Sequence, residues 1–152
     1  MILYLDTSAL VKRYVIEPGS DQVNQATANA ETAGTVIITR TEVAAALARA
    51  IRIGALKQAD ALANLQRFRS DWHDLARVQV TENLIARADV LAWEHNLRGY
   101  DAIHLAAALV WQEALGEPIT LATFDEQLWQ AAEREGLVPF PDYLLLRSTA
   151  RK

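Results

Sequence analysis

The apolar positions along this chain follow two different rhythms. Short unbroken runs stand at Ile2-Leu3-Tyr4-Leu5, Thr35-Val36-Ile37-Ile38 and Ile119-Thr120-Leu121-Ala122. Runs of this length, rich in β-branched residues at the second, predict strands buried on both faces, as in a parallel sheet. Val78 and Val80, and residues 137–139, predict two further short strands. Elsewhere the apolar spacing is three and four residues, which predicts helices. One begins at Ala9, and others cover 21–31, 39–53, 55–72, 82–96, 101–113 and 125–135. Gly34, Gly54, Gly99 and Gly116 punctuate them. Leu62, Leu65, Phe68 and Trp72 form the stripe of helix 55–72; Leu84, Ala88, Leu91 and His95 form that of 82–96. Helix 101–113 is apolar on nearly all faces, as a centrally packed helix is. The order β-α-α-β-α-α-β-α-α-β-α-β predicts an α/β domain, a three-layer sandwich with a mainly parallel sheet of four or five strands. The domain is expected over 1–146, with a frayed tail at 147–152.

Composition narrows the chemistry. The chain has 152 residues, 51% of them hydrophobic and 22% charged, an ordinary globular balance. It has no cysteine, which excludes disulfides, thiolate zinc sites and cysteine nucleophiles. Met1 leads straight into the first strand without an export signal, and no apolar run approaches the roughly 20 residues of a membrane span. A cytoplasmic protein is expected. The net charge of −4 disfavours broad wrapping of nucleic acid but leaves room for a compact, metal-mediated grip on a phosphate.

The acids are placed in a pattern. Asp6 follows the first strand, Glu42 opens the helix after the second, and Asp125 stands three residues after 119–122. The carboxyl ends of parallel strands share one edge, where ligand crevices form. Asp101, at the start of the apolar helix, can reach that edge from its N-terminus. Each acid has a structural rival. Asp6, Asp101 and Asp125 stand where helix caps belong, and Thr39-Arg40-Thr41-Glu42 fits a capping box. Four such acids at one edge would repel one another without a cation. Hard oxygen donors without thiolates suit Mg²⁺ or Mn²⁺, and phosphodiester hydrolysis is the chemistry such a site favours.

Leu5-Asp6-Thr7-Ser8-Ala9-Leu10, the helix start at Glu42, Tyr100-Asp101-Ala102-Ile103-His104-Leu105 and Thr123-Phe124-Asp125-Glu126-Gln127-Leu128 together resemble the PIN-domain ribonucleases. They are most similar to VapC-type toxins of type II toxin–antitoxin systems. The likeness runs from the first strand to about Val138. It implies a PIN-like fold with Asp6, Glu42, Asp101 and Asp125 as the catalytic, metal-binding quartet for Mg²⁺ or Mn²⁺. Thr7, Ser8 and Thr123 match small hydroxyl positions lining family sites. The implied activity is endonucleolytic RNA hydrolysis leaving a 5′-phosphate and a 3′-hydroxyl. The implied partners are RNA, a second copy of the chain, and a small antitoxin whose tail lies in a groove near the active site. The alternatives are a PIN-fold nuclease of RNA processing outside such a system, or a partner-binding domain without catalysis.

Other candidates are weaker. His104 stands three residues after Asp101, but a carboxylate-bridged dimetal site needs a second such pair. A core histidine, or one supporting a ligand, is the expectation. Ser8 lacks a nucleophile-elbow context, and no glycine-rich phosphate loop exists. An aspartyl phosphatase would want an acid where Ser8 stands. Arg40, Arg98 and Lys12 are expected near the edge as possible RNA-phosphate contacts, with solvated surface cations as the rival reading. The tryptophans read as core or interface.

Overall fold

Alternate residues of the first strand face two different helical layers, and this fixes the architecture. The structure is a computed structural model describing residues 1–142. Its elements are β1 (Ile2–Leu5), α1 (Thr7–Leu10), α2 (Ser20–Asn29), β2 (Thr32–Val36), α3 (Thr39–Arg52), α4 (Gln58–Asp71), β3 (Ala76–Val78), α5 (Glu82–His95), α6 (Gly99–Leu115), β4 (Ile119–Ala122), α7 (Glu126–Arg134) and β5 (Val138–Phe140). Ile2 and Tyr4 join Val36, Ile119 and Leu121 against α5, α6 and α7. Leu3 and Leu5 pack on α1, α2, α3 and α4. With both faces covered, β1 has no polar position to spare, which is why its sequence is continuously apolar.

The five strands lie in the order β3-β2-β1-β4-β5, and every neighbouring pair is parallel. All carboxyl ends therefore share one edge. The chain winds outward from β1 through β2 to β3, then returns to place β4 on the other side of β1. Such a reversal opens a crevice between the two central strands. Asp6 ends β1 and Thr123 follows β4, so the crevice is lined by the segments that carry candidate acids.

The structure corrects two sequence expectations. The second strand is Thr32–Val36 rather than 35–38, and α2 stops at Asn29. Gly34 is a strand residue, because the Trp111 ring lies across it; a Cβ there would come within 2.7 Å of that ring. Ile37 and Ile38 lie beyond the strand, and Ile38 is the N-cap of α3. On α4 the buried stripe runs through Ala61, Phe68 and Trp72 with Leu65 packed beside it, whereas Leu62 is 52% exposed. Ala61 and Leu65 keep the four-residue spacing, which turns Leu62 away from the core. The last few residues expected in the domain and the expected tail lie outside the described residues. Among the described residues no helix is long and apolar enough to cross a membrane.

Candidate active site

Asp6 is the first residue past β1. Its backbone N–H still donates to the Ala122 carbonyl at 3.1 Å, so the sheet ladder fixes its position. Its side chain is 3% exposed. Oδ1 accepts from the Ala9 N–H at 2.8 Å and the Ser8 hydroxyl at 2.7 Å, and Oδ2 accepts from the Thr123 hydroxyl at 2.6 Å. Thr123 also accepts from the Asp125 N–H at 3.1 Å, and Ser8 from the Phe124 N–H at 2.9 Å. The hydroxyls of Ser8 and Thr123 thus lace the end of β1 to the end of β4. Burial pushes the Asp6 carboxyl up, against the opposing pull of His104 and of these donors. The charge on this carboxylate is incompletely compensated.

Asp125 caps α7, with Oδ1 accepting from the Leu128 N–H at 2.9 Å. The structural rival is therefore true at Asp6 and Asp125, but it does not use up either group. The second oxygen of Asp125 faces the Arg98 guanidinium at 3.3 Å. Asp101, in the first turn of α6, accepts from Arg98 Nε at 2.9 Å. At Glu42 the rival fails. Thr39 pairs with the Thr35 hydroxyl at 2.7 Å instead of capping, and α3 has no side-chain cap. Glu42 Oε1 accepts from the Thr7 hydroxyl at 2.8 Å and from His104 Nε2 at 2.8 Å. Burial alone would raise the Glu42 carboxyl; the His104 contact, Thr7 and Arg98 together outweigh it and hold the carboxyl below its ordinary value.

One cation, Arg98, bonds two of the four acids. Arg98 bonds Asp101 and Asp125, feels the charge of Asp6, and acts on Glu42. Its guanidinium is held further toward the charged form by its bond to Asp101 first and then by the surrounding acids. Among the described residues, the one group of three or more metal-capable side chains with all donor atoms within 4.8 Å of one another is Glu94, His95 and Glu135. There His95 and Glu135 form a 2.6 Å contact tying α5 to the C-cap of α7. The quartet is more open than that. An open set of hard oxygens fits Mg²⁺ or Mn²⁺, since Mg²⁺ takes one or two direct carboxylates and keeps several waters.

The other candidate cations separate. Arg98 is 74% exposed at its side chain and touches the quartet. Lys12 pairs with Glu17 at 2.9 Å and lies 4.4 Å over the Phe124 ring, so its ammonium is already engaged. Arg40 is exposed, with its guanidinium 6.0 Å from the Trp72 ring. Trp72 and Trp129 are core, but Trp93 is 90% exposed. Sequence reasoning did not single out Tyr4 for a polar role. Its strand position signals burial, and nothing local signals that its hydroxyl meets His104. Beside Glu42, a groove of about 800 Å³ is lined by Thr7, Tyr100 and the α3 residues Ala45, Arg49 and Arg52.

The sheet order and the acids at its switch point define a class of protein. Residues 3–134 match the PIN domain family model, and the chain belongs to the PIN-domain family. More particularly, it is 35% identical over 140 residues to Ribonuclease VapC45 of Mycobacterium tuberculosis, covering 89% of this chain and 92% of that relative. The fold is similar to that of PAE2754 from Pyrobaculum aerophilum, with a TM-score of 0.64, 23% identity and coverage of 99% and 90% of the two chains. It is also similar to a chain of a toxin–antitoxin complex from Klebsiella pneumoniae, with a TM-score of 0.59, 20% identity and coverage of 81% and 86%.

Proposed function

We propose that the protein is a divalent-metal-dependent endoribonuclease acting as the toxin of a toxin–antitoxin pair. The observation that supports the metal and the chemistry is Arg98 bonding Asp101 and Asp125 at the sheet edge where Asp6 ends β1 and Glu42 opens α3. The likeness to a protein named Ribonuclease VapC45 supports RNA as the substrate. Asp6, Glu42, Asp101 and Asp125 would hold Mg²⁺ or Mn²⁺. When bound, such an ion polarises a phosphoryl oxygen and lowers the pKa of a coordinated water toward neutrality.

The chain's own residues account for the rest. The hydrogen bonds of Ala9, Ser8 and Thr123 leave Asp6 little rotational freedom, so its carboxylate needs no reorganisation on binding. Arg98 is exposed enough to move. Were a divalent ion held by Asp101 and Asp125, the Arg98 guanidinium would be released beside the site, where it could take an RNA phosphate oxygen. Arg40 is a second exposed cation for the same purpose. The groove along α3 begins at Glu42 and Tyr100, and its Arg49 and Arg52 suit an acidic or carbonyl-rich segment. That groove is where an antitoxin tail would block the approach of RNA. A homodimer in the cytoplasm completes the reading.

The test is cleavage of a labelled RNA by purified protein with Mg²⁺, with chelator, and by Asp6→Asn. Cleavage by wild type alone, and only with metal, is expected. Equal cleavage by Asp6→Asn sinks the ribonuclease assignment to this site. Expression without antitoxin should arrest growth; active nuclease without arrest would point to RNA processing instead.

A further inference from the structure

A buried chain of hydrogen bonds runs from the middle of β1 to Glu42. Tyr4 is fully buried, and its hydroxyl oxygen lies 2.8 Å from His104 Nδ1. His104, 2% exposed, sits one turn along α6 from Asp101. Its other nitrogen, Nε2, lies 2.8 Å from Glu42 Oε1 and 3.3 Å from the Thr7 hydroxyl. A carboxylate oxygen can only accept, so the 2.8 Å contact at Oε1 is a donation from Nε2. The Tyr4 hydroxyl on Nδ1 fixes the other side of the ring. The chain of contacts runs from Tyr4 through His104 to Glu42. Thr7 donates to the same oxygen, Oε1, at 2.8 Å. Among the described residues no hydrogen bond is directed at Oε2.

We propose that Tyr4 and His104 are positioning residues that select Glu42 Oε2 as the oxygen presented to the metal. The proposal rests on the reading of Glu42 as a ligand. The terminal torsion of a glutamate is soft, so without an anchor its two oxygens would exchange and sweep the crevice. Two donors on Oε1 remove that freedom. A single imidazole with both nitrogens committed, one to a buried strand residue, carries the rigidity of the sheet to a side chain on a helix. Partners of this kind behind a ligand are worth about 10–100-fold in metal affinity.

The test is a Mn²⁺ titration of the metal-free protein, followed by calorimetry, with melting temperature recorded in parallel. Tyr4→Phe keeps the ring in place and removes only the hydroxyl; His104→Leu removes both nitrogens; His104→Gln restores one N–H donor at a similar reach. The expected loss of Mn²⁺ affinity is about tenfold or more for His104→Leu and several-fold for Tyr4→Phe, with partial recovery in His104→Gln. If His104→Leu does not fold, Tyr4→Phe decides the matter. A folded Tyr4→Phe that binds Mn²⁺ within twofold of wild type overturns the proposal. Glu42→Gln separates the two ways of failing. Unchanged affinity in Glu42→Gln removes Glu42 as a ligand and the proposal with it. Weakened affinity there, with Tyr4→Phe and His104→Leu both like wild type, overturns the positioning role alone.

Discussion

Asp6 and Glu42 differ from Asp101 and Asp125 in what holds them. The first two are anchored by a backbone amide, serine and threonine hydroxyls and an imidazole. The second two share a guanidinium whose side chain is 74% exposed. The inner pair is pre-placed, and burial leaves the charge of Asp6 incompletely compensated whereas the charge of Glu42 is favoured. The rim pair shares one positive charge, through contacts that water and salt can loosen, since exposed ion pairs contribute only about 0–1 kcal/mol. One half of the quartet provides geometry and the other provides an exchangeable counter-charge. On the proposed function, a metal site that accepts and releases a substrate phosphate would draw on both.

The largest effect should come from the innermost acid. Asp6→Asn is expected to lower RNA cleavage by about 100-fold or more, on the scale seen when one preorganised electrostatic group is removed. The same variant should melt higher than wild type without metal. Because burial raises the folded pKa of Asp6, its ionised form costs stability, a cost that appears as pH rises through that pKa. An Asp6→Asn variant that is inactive but melts lower than wild type would break the distinction between inner and rim acids.

Metal removal comes next. Saturating Mn²⁺, at about 100 times its dissociation constant, should stabilise the protein by about 2.7 kcal/mol. A calorimetric melt with and without chelator reads this directly. The gain should shrink as pH falls and Asp6 becomes protonated. Arg98→Ala should have a smaller and opposite effect on binding. Without the resident cation, Mn²⁺ should bind several-fold more tightly at low salt, while KM for RNA rises. Unchanged Mn²⁺ affinity would mean that Arg98 and the metal do not compete.

The smallest effect is a difference in sign between the two inner acids. The folded pKa of Glu42 is lowered, so its contribution to stability is present above the unfolded carboxylate value and is lost as pH falls through the folded one. Glu42→Gln should therefore flatten the acid limb of the stability curve, and Asp6→Asn should not.

The parts of this arrangement that are local were legible in the sequence. β1 and β4 are continuous apolar runs because both faces are covered, and the acids beside them stand at strand-to-helix boundaries that any α/β reading marks. β2 was displaced because the reason for Gly34 is the Trp111 ring, 77 residues away in sequence and visible only in the folded chain. Leu62 shares a stripe with Leu65, Phe68 and Trp72 because spacings of three and four are both helical, and only packing shows that Ala61 takes the buried side. The capping box at Thr39 was a sound local pattern overridden by two distant partners, Thr7 and His104. The link from Tyr4 to His104 to Glu42 leaves no trace in spacing, because its members come from three elements. The division of the quartet into inner and rim pairs was hidden for a related reason. Asp6 and Asp101 look alike as helix-start aspartates, and only burial separates them.

The most direct test is a crystal structure grown with Mn²⁺, with the anomalous signal used to locate the ion. The account predicts a peak among Asp6, Glu42, Asp101 and Asp125, with Arg98 withdrawn from Asp101 and Asp125. A peak only at Glu94, His95 and Glu135, or Arg98 still bonded to both aspartates with no ion between the carboxylates, would contradict it.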